Sequence, residues 1–156
     1  MPWKRALFET KMGNVDAVAI LQKTPEREKY LEFTTPLFES NTVFFYNADK
    51  YKSGVYWNTI RDLQPYRIGV ISGYTSEKIL RNYNNYGINL NIVPITGKDS
   101  QVFQMLLKER VDIFPTNEVV GNQLIKDNNW GKVIKKAPRP IYKTVYHMAF
   151  SKAKNH

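Results

Sequence analysis

The sequence predicts an α/β fold with a parallel sheet, and two observations carry that expectation. From Arg67 onward, short β-branched segments alternate with amphipathic ones: strand over 67–71, helix over 76–83, strand over 90–95, helix over 100–109, strand over 111–114 and helix over 118–126. Such an alternation builds parallel strands whose connecting helices cover the faces of the sheet. Nearer the start, Val15, Ala17, Val18, Ala19, Ile20 and Leu21 form a nearly continuous apolar run, the pattern of a strand covered on both faces.

Each further element has its own signal. Trp3, Ala6, Leu7 and Met12 recur at helical spacing over residues 2–12, and Gly13-Asn14 stops that helix. After the apolar strand, Thr24 stands as an N-cap with Pro25 at the first helical position, where its missing N–H costs nothing. The short helix so begun is expected to end at Phe33-Thr34-Thr35-Pro36. Thr42-Val43-Phe44-Phe45-Tyr46 is β-branched and aromatic, a strand. Ser72-Gly73 is a turn between the strand before it and the helix after it. Val102, Phe103, Leu106 and Leu107 give the helix over 100–109 an apolar stripe that reads as core. Beyond the proline-rich link Ala137-Pro138-Arg139-Pro140, residues 144–150 form a last strand, and no internal repeat stands out.

Composition narrows the class. Hydrophobic residues make up 42% and charged residues 24% of the 156, as in a globular protein that buries a core. Absence of cysteine removes disulfides, thiolate nucleophiles and cysteine-bound zinc, and leaves the redox compartment open. The longest apolar runs are strand-sized, too short to span a bilayer, and Met1-Pro2-Trp3-Lys4-Arg5 lacks the apolar core of a signal peptide, so no export signal is expected in the chain as written. Twenty-three basic against 14 acidic side chains give a formal +9, compatible with nucleic acid, anionic lipid or an acidic ligand. Lys132, Lys135, Lys136, Arg139 and Lys143 are the densest basic stretch, but Pro138 and Pro140 break any recognition helix there, and a solvated surface is the expected role rather than nucleic-acid binding.

Two helix starts are candidates for holding a carboxylate, because unpaired backbone N–H groups and a partial positive charge collect there. At Thr24-Pro25-Glu26-Arg27 a cap hydroxyl is followed by a guanidinium able to grip a carboxylate bidentately. The alternative is a plain cap, with Arg27 in a surface ion pair with Glu28 or another acid. At Gly73-Tyr74-Thr75-Ser76 a glycine turn opens a helix that Thr75 or Ser76 can cap while the loop approaches a ligand. The alternative there is an ordinary turn. Catalytic signals are weaker. His147 lies in a strand and His156 at the terminus, without the spacing of a metal pair; a lone strand histidine is more often structural. Glu26 and Glu28 favour the dipole of their helix, and no nucleophile-elbow, phosphate-loop or dinucleotide motif occurs.

In sequence order, Trp3-Lys4-Arg5, Gly13-Asn14-Val15-Asp16-Ala17, Lys23-Thr24-Pro25-Glu26-Arg27 and Phe33-Thr34-Thr35-Pro36-Leu37-Phe38-Glu39-Ser40 resemble the first lobe of the bacterial periplasmic solute-binding proteins of the amino-acid type. Arg67-Ile68-Gly69-Val70-Ile71-Ser72-Gly73-Tyr74-Thr75, Arg110-Val111-Asp112 and Met148-Ala149-Phe150-Ser151-Lys152 follow in the family's order, so the resemblance covers essentially the whole chain. It implies a type II periplasmic-binding-protein-like fold: two α/β lobes joined by two crossing strands, at 42–47 and 144–151, with the ligand in the cleft. Residues 1–43 with 147–156 would then be a partial first lobe and 46–143 the second.

The same resemblance implies site residues. Arg27 stands where the family binds the ligand carboxylate, with Thr24 beside it, and Thr75 where the second lobe closes on it, in the turn with Gly73 and Tyr74. Asn117 stands where the family usually has an aspartate against the ligand's ammonium; an amide brings no counter-charge. Gln22 and Ile20 occupy positions where small polar residues are common, so a carboxylate without an amino group joins amino acids as an expected ligand. The implied partners are that small polar ligand and, in the full-length periplasmic protein, an ABC transporter permease, with no cofactor, metal or nucleic acid. The family normally has a strand-helix-strand unit before this sequence and a helix after it, so the first lobe is expected to be incomplete and to form a homodimer through its uncovered edge. Two competing functions are a dehydratase-like enzyme, for which Glu118 is the remote candidate acid, and a ligand-sensing module of a larger receptor.

Overall fold

The computed structural model describes residues 2–154; His156 lies outside them. In chain order the elements begin with α1 (Trp3–Lys11), β1 (Ala17–Gln22), α2 (Pro25–Glu28), β2 (Leu31–Phe33) and β3 (Phe38–Asn47). A short 3-10 helix at Ile60–Leu63 leads into β4 (Arg67–Ile71), α3 (Thr75–Asn85), β5 (Asn91–Ile95) and α4 (Asp99–Leu107). The chain finishes with β6 (Ile113–Asn117), α5 (Glu118–Asp127), β7 (Ile134–Lys136) and β8 (Tyr142–Ser151). These form two compact units, one from Met1–Ser40 with Lys143–His156 and one from Asn41–Tyr142. The chain passes from one to the other twice, within β3 and within β8.

In the first unit β1 and β2 both pair antiparallel with β8, Gln22 opposite Tyr146 and Leu31 opposite Ser151. Leu21, Leu31 and Ala149 are its buried centre, and Trp3 and Leu7 of α1 pack on them. Burying Leu21 and Leu31 stabilises the unit by about 1.5–3 kcal/mol each. Two expectations are corrected here. The apolar run is not covered on both faces: Ala19 and Ile20 are exposed, because β1 bulges between Val18 and Leu21. Ile20 sits in the bulge at φ 60°, a conformation that costs a β-branched residue on the order of 1–2 kcal/mol. Nor does the helix after Pro25 run toward Phe33. It stops at Glu28, because Leu31 gains more by entering the core as part of β2 than by staying helical.

The second unit is a mixed sheet. Its centre is parallel, β5 beside β4 and β4 beside β6, while β3 runs antiparallel to β6 and β7 antiparallel to β3. The sheet predicted to be parallel therefore gains antiparallel strands from β3 and β7, and β7 had no sequence signal of its own. Successive residues of β3 serve opposite faces. Phe44 and Tyr46 join Ile68, Val70, Ile113 and Leu80 of α3 in one core. Val43 and Phe45 join Ile71, Phe114 and Val102, Phe103 and Leu106 of α4 in the other. Glycine is required where α5 crosses Phe45: a Cβ at Gly121 would lie 2.2 Å from that ring. Strand β6 continues past Phe114 through Pro115, whose fixed φ suits extended backbone, until Asn117 caps α5.

At the starting ends of the parallel strands, one carboxylate ties three segments together. Asp112 accepts from the Arg67 backbone N–H at 2.7 Å, from Arg67 Nε and Nη2 at 3.0 Å each, and from Lys50 Nζ at 2.8 Å. That clamp fixes the register of β4 and β6, and so sets where Gly73 and Asn117 emerge at their far ends.

Candidate functional site

In the first unit Thr24 takes extended backbone angles and its Oγ1 accepts the Arg27 backbone N–H at 3.3 Å, with Pro25 opening α2. The Arg27 side chain folds back over this turn. Its Nη1 donates to the Gln22 carbonyl at 2.8 Å and its guanidinium carbon lies 5.8 Å from the centre of the Trp3 ring. Arg27 is only 9% exposed. The expected alternative, a surface ion pair with Glu28, is not what forms: Glu28 pairs with Lys23 at 2.9 Å. Among the described residues no carboxylate lies within ion-pair distance of Arg27. Burial pushes its pKa down, and Tyr30 and Glu26 push it back up; guanidinium remains charged throughout the physiological range. Stacking on Trp3 offsets about 1 kcal/mol of the desolvation. Among the described residues the fork has one hydrogen-bond acceptor, the Gln22 carbonyl. Gln22 serves as the holder of this arrangement: its carbonyl anchors Arg27, while its amide Nε2 donates to Thr144 Oγ1 at 3.3 Å.

In the second unit the candidate residues lie at the C-terminal ends of the parallel strands, where open α/β sheets take their ligands. Gly73, at φ 92°, makes the turn out of β4, a backbone angle that favours glycine. Neither Thr75 nor Ser76 caps α3, contrary to expectation. Thr75 is already the first helical residue, Tyr74 stands at the cap position, and Glu77 reaches back so that its Oε2 accepts the Gly73 N–H at 2.8 Å. Thr75 is half-buried. Asn117 caps α5, its Oδ1 accepting from Val119 N–H at 2.9 Å and Val120 N–H at 3.2 Å. The structure brings these pieces together through a residue the sequence reading passed over, Asp99. It is buried at the start of α4 and accepts from the Tyr74 hydroxyl at 2.6 Å and from the Thr116 hydroxyl, next to Asn117. Sequence offered one signal for it, an acid just before the helix expected over 100–109, and that is an ordinary feature.

The remaining sequence candidates have structural roles. His147 is buried with Nδ1 2.9 Å from the Thr34 carbonyl, so Nδ1 carries the proton, and its ring meets Phe33 edge-on. Glu118, the remote candidate acid, pairs with Lys136 at 3.2 Å. In the basic stretch Lys135 donates to the Gly131 carbonyl, Arg139 lies 4.8 Å over Trp57 and Lys143 pairs with Glu39. No group of acids, histidines or cysteines able to hold a metal occurs among the described residues, and none of their helices is long and apolar enough to cross a membrane.

No family model matches the chain. Similarity comes instead from individual proteins. The ABC transporter arginine-binding protein 1 of Escherichia coli (strain K12) is 31% identical over 136 residues, 85% of this chain and 51% of that protein. The chain is similar to binding proteins of amino-acid ABC transporters. It spans about half the length of that curated relative. Its fold is the type II periplasmic binding fold of these solute-binding proteins. An ancestral arginine-binding protein bound to arginine matches with a TM-score of 0.81 at 23% identity, over 99% of this chain and 66% of that one. A histidine kinase sensor domain with similarity to periplasmic binding proteins matches with a TM-score of 0.80 at 18% identity, over 97% of this chain and 63% of that one. Among the described residues, the nearly buried Arg27 with no acid at ion-pair distance is the feature of most chemical consequence.

Proposed function

We propose that the chain captures a small carboxylate-bearing solute, an amino acid or an organic acid, with Arg27 as the carboxylate-binding group. The carrying observation is the burial of Arg27 with no acid at ion-pair distance among the described residues. A buried guanidinium that Glu26 supports only from beyond ion-pair distance is incompletely compensated, and a ligand carboxylate gripped by the fork removes part of that cost and gains paired charged hydrogen bonds. Thr24 holds the turn that presents Arg27, and Gln22 fixes its direction. In the second unit, taken by itself, Gly73, Tyr74, Thr75 and Asn117 are the residues proposed for polar contacts to a solute. The role is binding rather than catalysis, since Asp99, Glu118 and His147 are all engaged in structural contacts. In the full-length periplasmic protein the captured solute passes to an ABC permease, as the kinship with transporter binding proteins suggests.

Thermal unfolding of the purified chain against amino acids, organic acids and small amines tests this. A compound that binds only the folded state raises stability by RT ln(1 + [L]/Kd), about 2.7 kcal/mol at a hundredfold excess over Kd. Carboxylates are expected to raise the midpoint and amines to leave it unchanged; a shift with amines alone, or with no carboxylate, counts against the proposal.

A second reading, a sensory module of a larger receptor, is favoured by the likeness to the histidine kinase sensor domain. It uses the same solute chemistry. The parent gene distinguishes the two: a membrane helix and a signalling domain encoded after His156 would favour sensing.

A further inference from the structure

We infer that Trp3 is the positioning residue of Arg27: its ring holds the guanidinium and supports the charge without competing for the donors that a carboxylate would use. This rests on Arg27 as the carboxylate-binding group, and every residue involved lies within the first unit. A buried guanidinium needs negative potential nearby, and the acids around this one stand back from it. Glu28 is paired with Lys23 at 2.9 Å, and Glu26 supports the charge from beyond ion-pair distance. What lies against Arg27 is the face of the Trp3 ring, 5.8 Å from ring centre to guanidinium carbon. A carboxylate in that place would bond to the fork and exclude a solute's carboxylate. A ring instead attracts the cation through its quadrupole and presents no oxygen to it. Among the described residues only Nη1 is committed, to the Gln22 carbonyl at 2.8 Å.

Helix α1 is built to keep that ring in place. Trp3, Leu7 and Lys11 recur at every fourth residue, which sets them along one face of the helix. Trp3 and Leu7 pack on Leu21, Leu31 and Ala149, the buried centre of the unit. At the other end of α1, Lys11 Nζ lies 5.3 Å over the Tyr30 ring. Tyr30 is tied in turn to Arg27, its backbone N–H donating to the Arg27 carbonyl at 3.1 Å. Two cation–aromatic contacts therefore run in opposite senses, a ring of α1 against Arg27 and a cation of α1 against Tyr30. Together with the Leu7 packing between them, they fix α1 along its length, and Trp3 cannot leave Arg27 without disturbing the core.

The test compares Trp3→Leu with Trp3→Phe by calorimetric titration with 2-oxoglutarate, L-glutamate and L-arginine, each variant first checked for a cooperative urea transition. Leucine keeps an apolar side chain on the core and removes the ring; phenylalanine keeps a ring face. For the probe that the parent binds most tightly, Trp3→Leu is expected to weaken binding about tenfold, the order of a desolvated cation–π contact. Trp3→Phe is expected to stay within about threefold of the parent, since a smaller ring still attracts the cation. Equal losses in the two variants make Trp3 a packing residue and overturn the inference, as does a larger loss in Trp3→Phe. No loss in either overturns it too, and leaves Arg27 as the carboxylate group if Arg27→Met abolishes binding. Binding of no probe by the parent overturns the carboxylate reading and this inference with it. Where Trp3→Leu does not fold, Trp3→Met replaces it as the variant without a ring, with the same outcomes.

Discussion

Arg27→Met is expected to weaken binding of a carboxylate solute at least a hundredfold, about 2.7 kcal/mol or more, while the free energy of unfolding stays within about 1 kcal/mol of the parent or rises. The two halves of that result come from one fact. Arg27 is 9% exposed and the only hydrogen-bond acceptor of its side chain among the described residues is the Gln22 carbonyl. Methionine fills much of the same volume against Trp3 without a charge to desolvate, so the folded chain loses one hydrogen bond and a cation–π contact and is relieved of a buried cation. A ligand carboxylate loses the guanidinium fork that would grip it, and the nearby Lys23 is paired with Glu28. Arg27→Lys keeps the charge but not the planar fork, and an intermediate loss of about tenfold is expected. Titration calorimetry reads the binding and urea unfolding reads the stability. Intact binding in the methionine variant would remove Arg27 from the site, and a loss of several kcal/mol in stability would make it a structural residue instead.

Asp112→Asn is expected to cost about 2 kcal/mol or more of folding stability at neutral pH. Burial alone would raise the Asp112 carboxyl, but hydrogen bonds from the Arg67 side chain, Lys50, the Arg67 backbone and Tyr51 outweigh it and hold the group well below the usual carboxylate range. The estimate stays at the lower end because the Arg67 and Lys50 side chains are themselves 40% and 30% exposed, where solvent screens part of the attraction. A carboxyl whose folded pKa lies below its unfolded value of about 3.9 contributes stability that is fully present above about pH 5 and is lost as the pH falls through the folded value. The gap between parent and variant should therefore be constant from pH 5 to 8 and close in acid. Urea unfolding at pH 7 and at pH 2.5 checks both points; a gap that persists unchanged in acid would mean that packing, not charge, is what the substitution removes.

Much of the architecture was legible because its signals are local. Alternating segments after Arg67 gave β4, α3, β5, α4, β6 and α5 in order, and Thr24-Pro25 gave the start of α2. What was not legible depends on pairing between distant residues. Leu31 reads as the continuation of a helix until β8 offers it a partner at Ser151. Ile134 belongs to β7 only because Asn47 lies opposite it. The candidate site divides in the same way. Spacing and family resemblance singled out Arg27, Thr24, Gln22, Gly73, Tyr74, Thr75 and Asn117. Spacing could not say that Glu28 would turn to Lys23 and leave Arg27 without an acid at ion-pair distance among the described residues, nor that Asp99 would link Tyr74 to Thr116. The Ile20 bulge was hidden too, since an apolar run gives no sign of where a strand breaks its register.

The most direct test of Arg27 as the solute's anchor uses the tryptophan beside it. Trp3 stacks over the guanidinium at 5.8 Å, so a carboxylate seated on Arg27 should perturb its emission. Titration of the chain with 2-oxoglutarate, L-glutamate and an uncharged amide analogue, followed by fluorescence with Trp3→Phe as the control, should give a saturable change with a carboxylate, none with the amide, and none in the control even where calorimetry still records binding. Binding heat without any change in Trp3 emission, or an equal response to the amide, would contradict the account.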